Sequence, residues 1–294
     1  MRIQFLNGGL ANQVFQYVFV RFAQRYCTGE EWYLDDSFFF VNQVHNGYEL
    51  EKVFGIKANL LSNCFDKDVW EEIIRQKKEG ISLPQSFLNM GMPMVMLAET
   101  SNYSEFNPFE GQIMRIHANE FRPEIVRLSA PNIYYHGYWI NKGWFDRYRE
   151  EILSELTFPQ LKDEKNIKYA NRIKDSRSVG IHIRRGDFVT LGWDLPVEYY
   201  KQNCKKILEM YPDAVFFVFT DSIEWCKENE SKLGLNLSGQ TVYVEGNVDG
   251  KNYIDLQLLS MCQGMIMSNS SFCYLAALMD RQLQFFINPT QREV

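Results

Sequence analysis

Two arginines and a histidine crowd the end of one apolar run. In His182-Ile183-Arg184-Arg185-Gly186-Asp187, His182 and Arg184 fall on one face of an extended segment and Ile183 on the other. Arginine presents a planar fork of donors that matches a phosphate in two-point contact, and a charge-assisted bond of this kind is worth roughly 1.5–3 kcal/mol. Asp187 can steady one guanidinium and leave the other for an anionic ligand. The same residues also read as an Arg–Asp pair that closes a loop with no ligand at all. Three more polar clusters have the same setting, with an apolar run before and a helix-like run after. They are Asn7-Gly8-Gly9-Leu10-Ala11-Asn12-Gln13, Thr220-Asp221-Ser222 and Ser268-Asn269-Ser270-Ser271-Phe272. In a doubly wound sheet ligands sit beyond the carboxyl ends of the strands, so four aligned clusters say more than any one.

Each cluster carries two readings. Ser270 and Ser271 stand at a helix start, where unpaired N–H groups and two hydroxyls make a phosphate seat; ordinary N-capping by Asn269 or Ser270 fits equally. Asp255 lies in a first helical turn. Its carboxylate can accept two N–H groups of a guanine edge, or simply complement the helix dipole. Gly8-Gly9 lets backbone approach a ligand closely and Asn12 and Gln13 offer polar groups, but the full G-x-G-x-x-G pattern is missing and a plain tight turn is an equal reading. There is no G-x-S-x-G elbow, no Walker loop and no H-E-x-x-H. His45, His117 and His136 read as packing or surface residues.

The elements that must position these clusters are clearest in the last 120 or so residues. Apolar strands at 178–183, 214–219, 241–244, 265–267 and 283–287 alternate with helices at 196–210, 222–232, 253–263 and 270–279. Pro196 sits in the first turn of its helix and Ser222 can cap the next. Continuous apolar strands, rather than alternating ones, mark a parallel sheet covered on both faces. The N-terminus begins as a β-α-β unit: a strand at 2–6, a glycine turn, a helix at 10–26 and a strand at 32–34. Between them, helices are expected at 66–78 and 144–156, an aromatic loop at 102–109 and a strand at 132–139. The charged stretch 162–168 is the expected boundary between domains 1–161 and 162–294.

Composition sets the outer limits. A chain of 294 residues suits two domains. Its 31 basic and 37 acidic side chains leave a net charge of −6, which argues against coating nucleic acid. Six cysteines without a C-x-x-C read as buried free thiols of a reducing compartment. The opening lacks the apolar core of a signal peptide, and no run approaches the ~20 apolar residues of a membrane helix. A cytoplasmic protein is expected, and a peripheral seat at the inner face of the membrane is compatible with that.

The motifs also resemble a known family in their order. Asn7-Gly8-Gly9-Leu10-Ala11-Asn12-Gln13-Val14-Phe15-Gln16-Tyr17 resembles the G-G-L-G-N-Q-M-F-Q-Y opening of bacterial α-1,2-fucosyltransferases, glycosyltransferase family eleven. The H-I-R-R-G-D-F run at 182–188 resembles that family's first motif, shared with α-1,6- and protein O-fucosyltransferases. The run 217–225 resembles its second motif and 255–272 its third. The resemblance implies an α/β fold of GT-B type, two Rossmann-like domains facing a central cleft, with the donor in the C-terminal one. It implies GDP-β-L-fucose as donor, inversion at the anomeric carbon, no metal or other cofactor, and transfer to the 2-hydroxyl of a galactose-terminated oligosaccharide. That acceptor would be lactose-like, a surface glycan or a lipopolysaccharide precursor. By motif position, Arg184 would grip the β-phosphate, joined by Ser271. His182 and Asp255 would read guanine. Asp187 would orient the arginine fork or help at the sugar, and Asn12 would reach towards the fucose or the acceptor. Arg185, Asp221, Ser270, Phe272, Gly8 and Gly9 complete the implied donor-binding set. Ala11, Ser222 and Cys273-Tyr274 depart from the family pattern without removing a charged contact. Asp187, Asp194 and Glu198 are candidate bases, and base-free catalysis is an alternative. Another fucosyl linkage, or a non-catalytic binding protein of the same fold, are the competing readings.

Overall fold

A computed structural model describes residues 1–42, 45–100 and 109–290. The chain divides into two compact units, Met1–Thr157 and Phe158–Val294. The charged stretch 162–168 lies near the start of the second unit. There Asp163 accepts the Asn166 N–H and caps a helix.

The first unit holds strands β1 (Arg2–Phe5), β2 (Trp32–Asp35), β3 (Val95–Thr100), β4 (Gln112–His117) and β5 (Ile133–His136). Their order is β2-β1-β5-β3-β4 and every pair is parallel. Helix α1 (Leu10–Tyr26) links β1 to β2 and is buried almost all round, so it packs as an interior element rather than an amphipathic one. Helix α2 (Lys67–Lys78) is amphipathic, with Trp70, Ile73 and Ile74 inward at i, i+3 and i+4. The expected helix at 144–156 is two short helices, Gly143–Asp146 and Arg149–Glu155. The second of these sets Glu151 and Glu155 against Arg21 of α1, and Glu151 also against Arg25. Most of the expected aromatic loop lies outside the described residues. Trp32 and Trp139 are core side chains, fully buried.

The second unit holds β6 (Ser178–Ile183), β7 (Val215–Thr220), β8 (Thr241–Tyr243), β9 (Gly264–Ile266) and β10 (Phe285–Ile287), in the order β10-β9-β6-β7-β8, again all parallel. The linking helices include α3 (Glu164–Lys174), α4 (Val197–Met210), α5 (Asn252–Leu259) and α6 (Ser271–Met279). Successive β7 residues Phe216, Phe217 and Val218 are all fully buried, which requires cover on both faces. Each such side chain contributes about 1.5–3 kcal/mol. Gly180 lets α5 lie directly on β6, since a Cβ there would strike Leu259.

Two local expectations fail. Pro196 is the N-cap residue of α4 rather than a first-turn residue. Ser222 makes no capping bond; its own N–H donates to Thr220 Oγ1 at 3.1 Å, and the helix behind it breaks at Asn229.

Candidate functional site

Chain order makes β6 the turning point of the second sheet. The chain steps outward from β6 to β7 and β8, then returns to place β9 and β10 on the other side. The carboxyl ends of β6 and β9 therefore diverge into helices on opposite faces, which is where a crevice opens in such sheets. The register pairs Ile181 with Ile266, so His182 and the residues after β9 emerge side by side.

They touch. His182 Nδ1 lies 2.7 Å from Ser268 Oγ, and its ring stacks on Phe272 with centroids 5.3 Å apart. Burial, reinforced by the Arg184 charge, lowers the His182 pKa to about 3, so the ring is neutral near pH 7. Ser268 is itself buried. Ser270 caps α6, its hydroxyl accepting the Phe272 N–H at 3.2 Å. Ser271 follows it as the first residue of the helix. Asn269 donates to the Trp193 carbonyl at 2.7 Å, while its Oδ1 is buried and unpartnered.

On the other side of β6, the register pairs Ile183 with Thr220 and so sets Arg184 beside Asp221. Arg184 Nη2 donates to Asp187 Oδ1 at 2.6 Å, and Nη1 is 2.9 Å from Asp221 Oδ2. Asp221 Oδ1 accepts the Arg185 N–H at 2.9 Å. Gly186 leaves room for this carboxylate: a Cβ on it would lie 2.7 Å from Asp221 Oδ2. Arg185 pairs with Asp194 at 3.1 Å and covers the Trp225 ring at 3.5 Å.

This corrects the simple division in which Asp187 occupies one arginine and frees the other. Both arginines have carboxylate partners, and Arg184 has two. Asp221 serves as an arginine anchor, as does Asp194, which had seemed a candidate base. The side chain of Arg184 keeps 30% of its surface exposed and that of Arg185 19%, with one face under Trp225. Arg184 is the more accessible fork. Two of its N–H groups face carboxylates, and a guanidinium carries five.

Asp255 stands apart from these contacts. It occupies the first turn of α5, and Asn247 Nδ2 donates to its Oδ1 at 2.7 Å. Burial raises its pKa to about 7, against the lowering effect of the Asn247 bond. Glu198, the remaining base candidate, is an exposed first-turn residue of α4.

Gly8, Gly9 and Asn12 belong to the first unit, at the carboxyl end of β1 and the start of α1. Gly8 has a φ of +76°, and a Cβ there would lie 2.5 Å from Asn12 Nδ2, so the loop needs glycine. Gln13 ties the loop down by donating to the Gly8 and Gly47 carbonyls and accepting the Glu49 N–H. Asn7 donates to the Tyr138 hydroxyl at 3.1 Å, across the turning point between β1 and β5. His45, read as packing or surface, has its ring 3.6 Å from where a Gly9 Cβ would stand. His136 is a packing residue, stacked on Phe5 and lowered to about pKa 4 by burial.

Sequence reasoning missed Asn247, Ser268 as the partner of His182, and the stacking of Trp225 on Arg185. The i,i+8 step from Asn247 to Asp255 belongs to no periodic element and left no signal. The Trp225 contact follows from the register of β6 and β7, which sequence does not fix.

An all-parallel, doubly wound sheet with arginines and a serine-led helix at its turning point is the layout of an α/β protein whose ligand site lies at the carboxyl ends of its strands. Residues 99–292 match the profile of glycosyl transferase family 11, and the chain belongs to that family. It is a glycosyltransferase, with two Rossmann-like units in the manner of the GT-B class. An α-1,2-colitosyltransferase of Escherichia coli is 26% identical over 97% of this chain and 90% of its own length. A galactoside α-(1,2)-fucosyltransferase 2 of Gorilla gorilla gorilla is 26% identical over 55% of this chain and 49% of its own. Among solved structures, a mutant of Arabidopsis thaliana FUT1 in complex with GDP superposes with a TM-score of 0.50 at 11% identity. It covers all of this chain and 70% of the other, a likeness of fold.

Proposed function

We propose that this glycosyltransferase moves L-fucose from GDP-β-L-fucose to the 2-hydroxyl of a terminal β-galactoside in a glycan, with inversion and without a metal. The observation that carries the reading is the pairing, across one turning point, of the Arg184 fork with the N-terminus of α6. Both offer N–H donors to an anion at the carboxyl ends of the strands: the fork through the N–H groups its two carboxylates leave over, the helix through its first backbone amides.

Each group then has a task. As the glycosidic bond to the diphosphate breaks, negative charge grows on the leaving group and positive charge on the sugar ring. Arg184 and the first N–H groups of α6, with Ser271, stabilise the leaving diphosphate. Asp187 and Asp221 fix the plane of the fork beforehand, so little reorganisation is needed as the bond breaks. The neutral His182, held by Ser268 and Phe272, lines the base side of the donor, and Asp255 accepts the N–H edge of guanine. The first unit, with Asn12 in the Gly8–Gly9 loop, is assigned the acceptor side. The proton of the attacking hydroxyl passes to solvent water as the oxygen attacks; among the described candidate bases, Asp187 and Asp194 are engaged with arginines and Glu198 is solvent-facing.

A second reading keeps the linkage and changes the sugar, because the relative matched along nearly its whole length is named a colitosyltransferase. One experiment tests both. The purified chain is given lactose with GDP-fucose or with nucleotide-activated colitose, GDP release is followed, and the product linkage is read by NMR. An α-1,2-fucosyl product formed faster from GDP-fucose is the expected result. Preferential use of colitose replaces the first reading by the second, and no turnover of either overturns both.

A further inference from the structure

A chain of buried amides leads away from Asp255. Asn247 Nδ2 donates to Asp255 Oδ1 at 2.7 Å and to Asn166 Oδ1 at 3.0 Å. Asn247 Oδ1 in turn accepts from Asn166 Nδ2 at 2.8 Å, so the two amides form a closed, doubly bonded pair. Both side chains are buried, at 4% exposure for Asn166 and 7% for Asn247. Asn166 Nδ2 also faces both carboxylate oxygens of Asp163, at 3.0 and 2.9 Å. That carboxylate is the N-cap of α3 and receives the Asn166 backbone N–H as well.

The polarity of this chain is forced from one end. A carboxylate only accepts, so Asn166 must present its NH2 to Asp163. Its carbonyl then faces Asn247, which must answer with its own NH2. The remaining hydrogen of that NH2 can go only to Asp255. The amide of Asn247 is thereby denied its flipped state, in which a carbonyl would oppose the Asp255 carboxylate. A buried polar network with every member satisfied is rigid, and leaving one member unpaired is costly. The loop that carries Asn247 is shaped for this return: Gly246, Asp249 and Gly250 all have positive φ, at +89°, +52° and +80°.

We propose that Asn247, oriented by Asn166 and Asp163, is a positioning residue of nucleotide recognition that holds the Asp255 carboxylate as a two-oxygen acceptor for a base edge bearing adjacent N–H donors. The proposal rests on the reading of Asp255 as the base-reading group. It assigns base selectivity to a second layer that begins at the cap of α3, an element with no role in the chemistry. Because Asn247 occupies only one lone pair of Oδ1, that oxygen can still accept from the ligand, and Oδ2 is set beside it. Such an arrangement favours guanine, with donors at N1 and the 2-amino group, over hypoxanthine, which lacks the second.

The test measures equilibrium dissociation constants of GDP and of inosine diphosphate for the full chain by calorimetry. The wild type is expected to prefer GDP about tenfold. Asn247→Ala should bring that ratio close to one, and Asn247→Leu, which keeps the volume without setting a second carboxylate against Asp255, should do the same. A ratio of dissociation constants is independent of how much of a variant is folded, so a purely structural role would leave it unmoved. If either variant binds GDP and keeps the wild-type preference while Asp255→Asn abolishes it, the positioning role falls and the reading of Asp255 survives. If Asp255→Asn also keeps the preference, it is the reading of Asp255 that fails.

Discussion

Replacing Arg184 by lysine tests the centre of the proposed mechanism, since it keeps the charge and removes the fork. The guanidinium spans two carboxylates on separate segments, Asp187 Oδ1 at 2.6 Å and Asp221 Oδ2 at 2.9 Å. A lysine ammonium is a compact point charge on a flexible stem and cannot hold that plane. The loss at the leaving diphosphate is one charge-assisted contact, roughly 1.5–3 kcal/mol, together with the lost orientation. At about 1.4 kcal/mol per factor of ten, a total near 3 kcal/mol predicts a fall of about 100-fold or more in kcat/KM. The folded state should barely notice. Both ion pairs are partly exposed, so together they contribute about 1 kcal/mol and the melting temperature should drop by about 2–4 °C. Initial rates of GDP release from GDP-fucose with lactose, set beside a thermal melt, separate the two effects. Turnover within threefold of wild type would refute the phosphate role. So would a loss of rate no greater than the loss of folded protein, which is the signature of an Arg–Asp pair that merely closes a loop.

Gly186→Ala should cost about tenfold in turnover, because a Cβ 2.7 Å from Asp221 Oδ2 displaces a carboxylate that Arg184 and the Arg185 N–H both hold; circular dichroism would confirm an intact fold, and unchanged kinetics would refute the anchoring role of Asp221. Asp255, raised to about pKa 7 by burial, gives two signs to check. In the proposed role its ionised form accepts from the base, so the donor KM should rise as pH falls below about 7, and Asp255→Asn should flatten that rise. The folded state holds this proton more tightly than the unfolded one, so stability falls as pH rises from about 4 through about 7, and Asp255→Asn should melt higher than wild type at pH 8 but not at pH 4. Finally, EDTA is expected to leave the rate within about twofold, and a strict requirement for Mn²⁺ or Mg²⁺ would contradict leaving-group stabilisation by Arg184 and α6 alone.

The layout of the second unit was legible because continuous apolar runs such as Val215-Phe216-Phe217-Val218-Phe219 can only be strands covered on both faces. Its four polar clusters were legible as strand-end loops for the same reason. Partners were not. That Arg184 meets Asp221, 37 positions on, depends on which residue of β7 stands beside Ile183, and register is a property of packing. The buried amides Asn166 and Asn247 look like any loop or helix-start asparagines until burial removes water as an alternative partner. In the first unit α1 hid its orientation, since a helix buried all round carries little amphipathic signal. The break between its two partner helices, near Arg147 and Tyr148, follows neither a glycine nor a proline.

All the ladders described join parallel neighbours. No two strands can therefore zip up from a tight hairpin, and each must wait for an intervening segment to be threaded over a sheet face. The entropy of closing those loops is spent before any ladder returns it, so refolding from denaturant should be slow. Phe216 and Phe217 would meanwhile stay exposed, and a cell making this chain quickly has reason to keep a chaperone close to the ribosome.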